Sequence, residues 1–513
     1  MKRTLTYVFL LACFFGTAQK NDYVWLSGYE SSDGYDSMGR GWGFGNTKMD
    51  FNQNPVDINY DSLGMYFGFT NTSFCDNDGH LLLYTNGIYV ANAHDQIIPN
   101  SWGMNAGYID QVWDPSIQTY GYRNTQGALA LQSISNPNQY YIFHSFTDSL
   151  PGSNGTDLYC AKLLNTLIDL NANSGQGEAI YKNQMLISDS LGYHINAVRH
   201  GNGRDWWVLI HKRESNCFYR ILLDATGPHL MPDLTCGGLY SSYQTIGTGC
   251  FSPDGSKYAC LFDYGGLCVY DFDRCSGMLS SPQCLSLPVL RDSVWIGNGV
   301  AISPNGRYLY ASITKYIYQF DLSNANIFSS IDTIGKYDGF HLPVGSFFDM
   351  AQLGPDGKIY ISCGNTEADF HVINNPDEGG AACNFVQHGI RLPTLCNSVP
   401  NFPNYRLGAL SGSACDTLTG LSEDLRAEKE RILKVYPNPA SSYTIVDYGY
   451  TDWNKGEVSL EIANELGQVV YEQMLPMYSG FQKLDVGSYA TGVYMVYIKR
   501  ADEIIATNKF VKE

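Results

Sequence analysis

SPDGSKYACLF (residues 252–262), SPNGRYLYASI (303–313) and GPDGKIYISCG (354–364) decide the reading of this chain: their starts lie 51 residues apart, twice. Each places Asp-Gly or Asn-Gly between an apolar run and an alternating run, the strongest short-range signal of a β-hairpin. On that reading a two-residue turn needs positive φ at both of its residues, so Asp254, Asn305 and Asp356 occupy slots that tolerate left-handed backbone. Each segment is followed by another strand candidate: GLCVYDFD (266–273), YIYQFDLS (316–323) and FHVINNP (370–376). Looser copies precede them, NDGHLLLYTNG (77–87), NPNQYYIFHS (136–145) and NGRDWWVLIHK (202–212).

A turn-anchored unit of about 50 residues with several short strands is the pattern of a β-propeller blade. Six repeats are visible. The pieces left over, roughly 22–60 and 383–410, are expected to make a seventh blade by pairing first and last strands, which removes exposed sheet edges. The fold class expected is therefore all-β, a propeller of seven blades followed by a small β-sandwich.

That second unit begins at Lys434. VSLEIANELGQVVYEQML (458–475) alternates in period two around Gly467, and LDVGSYATGVYMVYIK (484–499) adds a further strand. With Val435-Tyr436-Pro437-Asn438-Pro439, the turn Asn464 to Gln468, Gly492-Val493-Tyr494 and the terminal Lys509-Phe510-Val511-Lys512, this stretch closely resembles the C-terminal sorting domain of cargo for the type IX (Por) secretion system of Bacteroidetes. The resemblance implies recognition by that machinery, with Pro437, Asn438, Pro439, Gly467, Gly492, Tyr494 and Lys509 as the sorting-signal positions. The repeats in turn resemble SPDG-type, WD40-like propellers, including those on large Bacteroidetes surface proteins. Their shared residues are turn and core residues, which specify fold and not function.

The N-terminus agrees with export. MKRTLTYVFLLACFFGTAQK has a cationic start, an apolar stretch and small residues before Ala18, a secretory signal peptide too short to span a bilayer stably. A lipoprotein-type reading centred on Cys13 is the alternative. No later segment has the ~18 apolar residues of a spanning helix. The expected order is leader 1–18, propeller 19–412, connector 413–433 and sorting domain 434–513. The connector reads as solvated, with a short helix capped by Ser422 as its other possibility.

The net charge is −18 from 32 basic and 50 acidic residues, which disfavours nucleic acid or an anionic lipid surface as partner. Fourteen cysteines in an exported chain predict disulfides. Cys275 with Cys284, flanking a turn-rich segment, is the preferred pair, and Cys260 with Cys268 the second. No CxxC pair has metal-ligand spacing, so neither a metal nor another cofactor is expected. CDNDGH at Cys75 lacks the spaced ligands and terminal Glu of a calcium loop.

Hydrolase signatures are missing: no GxSxG elbow, HExxH or phosphate loop. The densest polar cluster, VRHGNGRDWWVLIHKR (198–213), offers Arg199, His200 and Asp205 as candidate catalytic groups at a propeller channel. The competing and favoured expectation puts Arg204-Asp205 in a turn beside packed tryptophans. Trp42, Trp102, Trp113, Tyr120 and Tyr122 are candidates for stacking on sugar rings or for packing between blades. The function expected is binding of a protein or glycan ligand at the cell surface, in adhesion, motility or surface assembly. The alternative is a polysaccharide hydrolase or lyase at the channel. Paired carboxylates at the channel mouth would favour the enzyme, and aromatics with backbone would favour binding.

Overall fold

Five of the six turns foreseen at the repeats join the first and second strands of their sheets, and the sixth, at residues 202–205, joins the fourth and fifth strands of an eight-stranded one. In the computed structural model, the described residues are 19–29, 43–107, 121–152, 155–237, 247–262, 266–286, 298–340, 345–413, 415, 431–450, 458–465, 467–475, 479–500 and 503–513. The leader with Cys13, most of the connector with Ser422, and Trp42, Trp113 and Tyr120 lie outside them. The chain is all-β. Before the tail, the described strands form six antiparallel sheets in chain order, over residues 24–61, 72–92, 128–235, 247–286, 298–336 and 348–396.

The third of these sheets has eight strands because one long strand, Glu178–Arg199, serves two sets of partners. Its first part, to Leu191, pairs with Gly155–Asp169, and its last part, from Leu191, pairs with Trp206–Lys212. The register shifts repeatedly along the first part and again between Leu191 and Ile195. Such bulges add twist and turn a strand from one sheet plane toward another. Two hairpin repeats, at residues 136–145 and 202–212, are thereby fused into one sheet.

Leading strands of successive sheets lie side by side. Thr248 Oγ1 donates to Asn298 O, Asn298 N to Asp349 Oδ1, and Asn196 Nδ2 to Gly249 O. The first and last sheets also meet: Gly43 forms a bridge with Thr394, and Thr47 and Thr394 share a hydrogen bond of 2.7 Å. One buried cluster gathers Trp25, Phe74, Leu129, Ile195, Trp206, Met350, Tyr360 and Tyr405, drawn from the first, second, third and last sheets and the segment after them. Aromatic side chains dominate the joins because each buries a large apolar area between neighbouring sheets.

The turn chemistry differs from expectation in one respect. Gly255, Gly306 and Gly357 have φ of +73°, +74° and +80°, but Asp254, Asn305 and Asp356 are not left-handed. They act through their side chains: Asp254 Oδ1 accepts from Ser256 N, Asn305 Oδ1 from Arg307 N, and Asp356 Oδ1 from Lys358 N. These are side-chain-capped turns in which glycine alone supplies the positive φ. A Cβ at Gly306 meets nothing within 4 Å, so the cost of Gly306→Val is purely backbone strain. It is expected to be ~1–3 kcal/mol, read as a lowered melting temperature, with Gly357→Val alike. Parent-like melting of both variants would overturn the turn assignment.

The seventh-blade expectation is partly corrected. Residues 24–61 form a three-stranded sheet of their own, and Phe385–Cys396 is the outer strand of the last sheet. First and last strands touch without merging into one ladder. The disulfide expectation is wrong. Cys284 bonds Cys268, its direct cross-strand neighbour, while Cys275 bonds Cys415, 140 residues away. Cys260 remains a buried thiol. Only the side-by-side register of Gly266–Asp273 and Met278–Ser286 decides which cysteines face each other.

The tail has two sheets over a single core. Arg431–Tyr436, Tyr443–Tyr450 and Ser479–Asp485 make one sheet, and Val469–Met474, Ser459–Ala463, Gly492–Arg500 and Glu503–Lys512 the other. Val446 and Leu484 from the first sheet bury against Leu460, Ile462, Val496 and Phe510 from the second. The opening strand starts at Arg431, inside the stretch assigned to the connector. No helix among the described residues is long and apolar enough to cross a membrane.

Candidate functional site

After the last strand, residues 397–410 run across the leading strands as an irregular strap. Asn401 is its centre and is 2% exposed. Its Nδ2 donates to Ala128 O and Ile195 O at 3.0 and 2.9 Å, with Gln126 O at 3.4 Å, and its N donates to Asn71 O. Thr72 Oγ1 donates back to Asn401 O. Tyr405 Oη donates to Ala130 O at 2.8 Å, and its ring lies edge-on to Phe74 and Trp206. Arg406 makes a two-point ion pair with buried Asp22, joining the strap to the start of the body. Leu410 N donates to Gly201 O, and the Cys275–Cys415 bond pins the segment just beyond. The strap thus gives hydrogen bonds to the backbone carbonyls of Asn71, Ala128, Ala130 and Ile195, which lie in separate parts of the chain.

A cavity of about 230 Å³ lies beside the strap. Its walls are the leading strands at Gly249–Phe251, Val300–Ile302 and Ala351–Leu353, with Asn196 and Gln126 on one side and Asn401–Asn404 and Arg406 as the strap's share. The turn residues Pro253, Pro304 and Pro355 complete the lining. The strands Gly247–Phe251, Asn298–Ile302 and Phe348–Leu353 are each terminal in their sheets and border this space, with side chains taking up outward backbone groups such as Gly249 O, which accepts from Asn196 Nδ2. Gln126 has a left-handed backbone, φ +49°, and its Oε1 accepts from Gly249 N and Asn196 Nδ2. Asn196 Oδ1 in turn accepts from Tyr258 Oη.

Asp22 is the one carboxylate of the lining, and Arg406 occupies both of its oxygens. Cys250 is the one thiol, and burial pushes it up to about 12, far from a thiolate at neutral pH. Among the described residues, neither histidine nor a second acid lines the space. The described lining residues hold no pair of carboxylates of the kind most glycoside hydrolases use.

The sequence candidates lie elsewhere. The Arg199 guanidinium stacks on Trp206 at 4.0 Å and donates to Arg204 O, Gln19 Oε1 and Tyr405 O. Burial lowers its pKa to about 10. His200 Nδ1 accepts from Asn202 N, and its Nε2 meets Cys275 O at 2.9 Å. Asp205 takes Arg204 Nε and Nη2 together with Asn202 Nδ2. Asp205 and His200 hold the turn, Arg199 also reaches the strap at Tyr405 O, and none of the three lines the cavity. Of the sugar-stacking candidates, Tyr122 is buried with its hydroxyl on the Thr147 backbone, while Trp102 is exposed and stacks on Tyr89. Asp76, Asp78 and His80 form the one cluster among the described residues that could hold a metal ion, and Asp76 already caps its own turn there. Sequence reasoning missed the strap, which carries neither strand nor helix periodicity.

Asp349, two residues from the lining at Ala351, is buried, and burial raises its carboxyl to about 7. The neutral form is favoured in the folded protein, so its contribution to stability is full below pH ~4 and is lost as pH rises through about 7. Asp349→Asn keeps an acceptor for Asn298 N and removes the charge. At pH 8 the variant is expected to exceed the parent by ~2–4 kcal/mol, and at pH 4 to equal it. Denaturant unfolding at the two pH values checks this, and an equal difference at both would refute it.

In the tail, the positions expected to carry the sorting signal come together in pairs although they are far apart in sequence. Asn438, between Pro437 and Pro439, donates through Nδ2 to Lys509 O and accepts at Oδ1 from Val511 N. Gly467, φ +75°, closes the turn whose Glu465 accepts from Val493 N, next to Gly492. Tyr494 is buried and stacks on Phe510 at 5.2 Å.

Residues 434–513 match the family model of the secretion system C-terminal sorting domain. That domain marks the chain as a secreted or cell-surface protein and implies an interaction with the type IX machinery. No curated protein matches the chain. Among solved structures, the periplasmic gluconolactonase of Pseudomonas aeruginosa is 12% identical, covering 74% of this chain and 99% of that one, with a TM-score of 0.38. A protein of unknown function from Desulfotomaculum acetoxidans gives the same four values. Sqt1 of Saccharomyces cerevisiae is 10% identical over 79% of this chain and 87% of its own, with a TM-score of 0.35. At these identities nothing about activity passes from them to this chain.

Proposed function

We propose that the chain is a seven-bladed, WD40-like β-propeller with a signal peptide at 1–18, a body to residue 412, a connector and the sorting domain from Lys434. Six turn-anchored repeats support the count: the eight-stranded sheet holds two of them, and the sheet at 24–61 supplies the seventh blade. Contact between first and last sheets fits closure of the ring.

The body is a binding module that holds a protein or glycan ligand at the cavity beside the strap, in adhesion, motility or assembly of the cell surface. One observation carries this: strand edges, amide side chains, prolines and Phe402 line the cavity, and its single carboxylate is paired. Such a lining can grip a ligand by shape and hydrogen bonds but has no group free to move a proton. The test incubates the mature protein with a panel of polysaccharides and follows reducing ends and unsaturated products. Parent and the variant Arg199→Ala/His200→Ala/Asp205→Ala are both expected to release nothing, while the parent retains ligands on glycan and surface-protein arrays. Product from the parent and none from the variant would replace this reading with a hydrolase or lyase.

A further inference from the structure

We infer that the cavity beside the strap takes a single neutral, hydroxyl-rich ring of hexose size, the terminal sugar of a glycan; this rests on the binding reading and narrows it. Size comes first. Drug-sized ligands fill pockets of about 300–1,000 Å³, and this cavity measures about 230 Å³. That space has room for one ring of the ligand.

Charge comes second. Asp22 and Arg406 are the charged residues of the lining and neutralise each other in a two-point pair. An anion would lack a free cation, and a cation would lack a free carboxylate, so desolvating either would go uncompensated. Hydrogen bonding comes third. Terminal strands of three sheets border the space, Gly249 N and O among them already bonded to Gln126 and Asn196, and the Gln352 amide, which gives one N–H to Leu353 O, keeps a second N–H and its oxygen as donor and acceptor. A ligand that matches such a surface must donate and accept from neighbouring atoms, which hydroxyl groups do. The prolines Pro253 and Pro304 give an apolar wall for the C–H face of a ring.

An extended peptide is the rival occupant of a free strand edge. It fits worse, because Asn401, Phe402, Pro403 and Asn404 of the strap already wall one side of the same small space. A peptide strand would also need several consecutive residues along one edge, and three edges converge here within one small space.

The experiment uses the mature full chain. Saturation-transfer NMR and calorimetry are run with the methyl glycosides of glucose, galactose, mannose and N-acetylglucosamine, and with glucuronate, inorganic phosphate and a tetra-alanine peptide as contrasting probes. One or more neutral methyl glycosides is expected to bind. Gln352→Trp, which fills the cavity, is expected to weaken that binding at least tenfold, and Gln352→Ala to weaken it several-fold. Melting curves show whether each variant is folded, and the alanine variant serves if the tryptophan variant is not. Preference for glucuronate, phosphate or the peptide, with loss of that binding in Gln352→Trp, would overturn the sugar inference and leave the binding reading standing. A glycoside held equally by both variants would place the sugar elsewhere and overturn it. Failure of all the glycosides would also overturn it. If the parent cleaves polysaccharides as well, the binding reading falls separately.

Discussion

Tyr405→Ala is expected to lower the stability of the body by ~3–5 kcal/mol, the usual cost of deleting a buried aromatic. The ring is 2% exposed and sits among Phe74, Trp206 and Phe402, side chains from two sheets and the strap itself. Its hydroxyl is the partner of Ala130 O. The truncation leaves a cavity where sheets converge, and sheets anchored by their own ladders cannot collapse to fill it. A domain's whole stability is typically ~5–15 kcal/mol, so the loss is a large fraction. Tyr405→Phe separates packing from hydrogen bonding: it keeps the ring and is expected to cost ~1 kcal/mol. Denaturant unfolding of the three proteins decides. Equal melting of Tyr405→Ala and parent would mean that the strap is an ornament on an independently stable body.

Ending the chain before Lys434 is expected to stop appearance of the protein at the cell surface and in the medium, with the shortened chain held inside the outer membrane. The removed residues match the sorting domain over 434–513, and their buried core draws on that region alone, from Val435 to Phe510. The body's own clusters do not include them. The shortened protein should therefore melt like the parent while failing to leave the cell. Finer changes should act in the same direction. Asn438→Ala removes both hydrogen bonds between the Pro437–Pro439 turn and the last strand. Fractionation of cells expressing each chain gives the answer. Surface exposure of the truncated protein at parent levels would remove the sorting role from the tail.

Much of the architecture was legible in the chain because its signals are local. Gly255, Gly306 and Gly357 mark turns through a conformation that only glycine adopts cheaply, and period-two alternation marks the strands on either side. The tail could be read for the same reason: Pro437-Asn438-Pro439, Gly467 and Gly492 are turn and strand-end residues that act within a few positions of themselves. The family model begins at the expected Lys434, and the first strand of the tail starts three residues earlier, where Arg431 to Leu433 pair with Tyr448 to Tyr450.

What the sequence determined by itself, then, was an exported all-β chain with repeated hairpins and a separate C-terminal unit. The tertiary structure decided everything that depends on which distant groups face one another. Cys268 meets Cys284 because their strands are paired in that register, and Cys275 meets Cys415 because the strap returns over the turn at Gly201. Arg199 and Asp205 look like chemistry in one dimension, yet in three they are held by Tyr405 O, Arg204 and Asn202. The cavity is bordered by terminal strands of three sheets and by Asn401, whose value lies in reaching carbonyls some 200 and more residues away in the chain. Backbone carbonyls leave no mark in the identity of the residues that carry them, so a site built from them exists only once the sheets have come together.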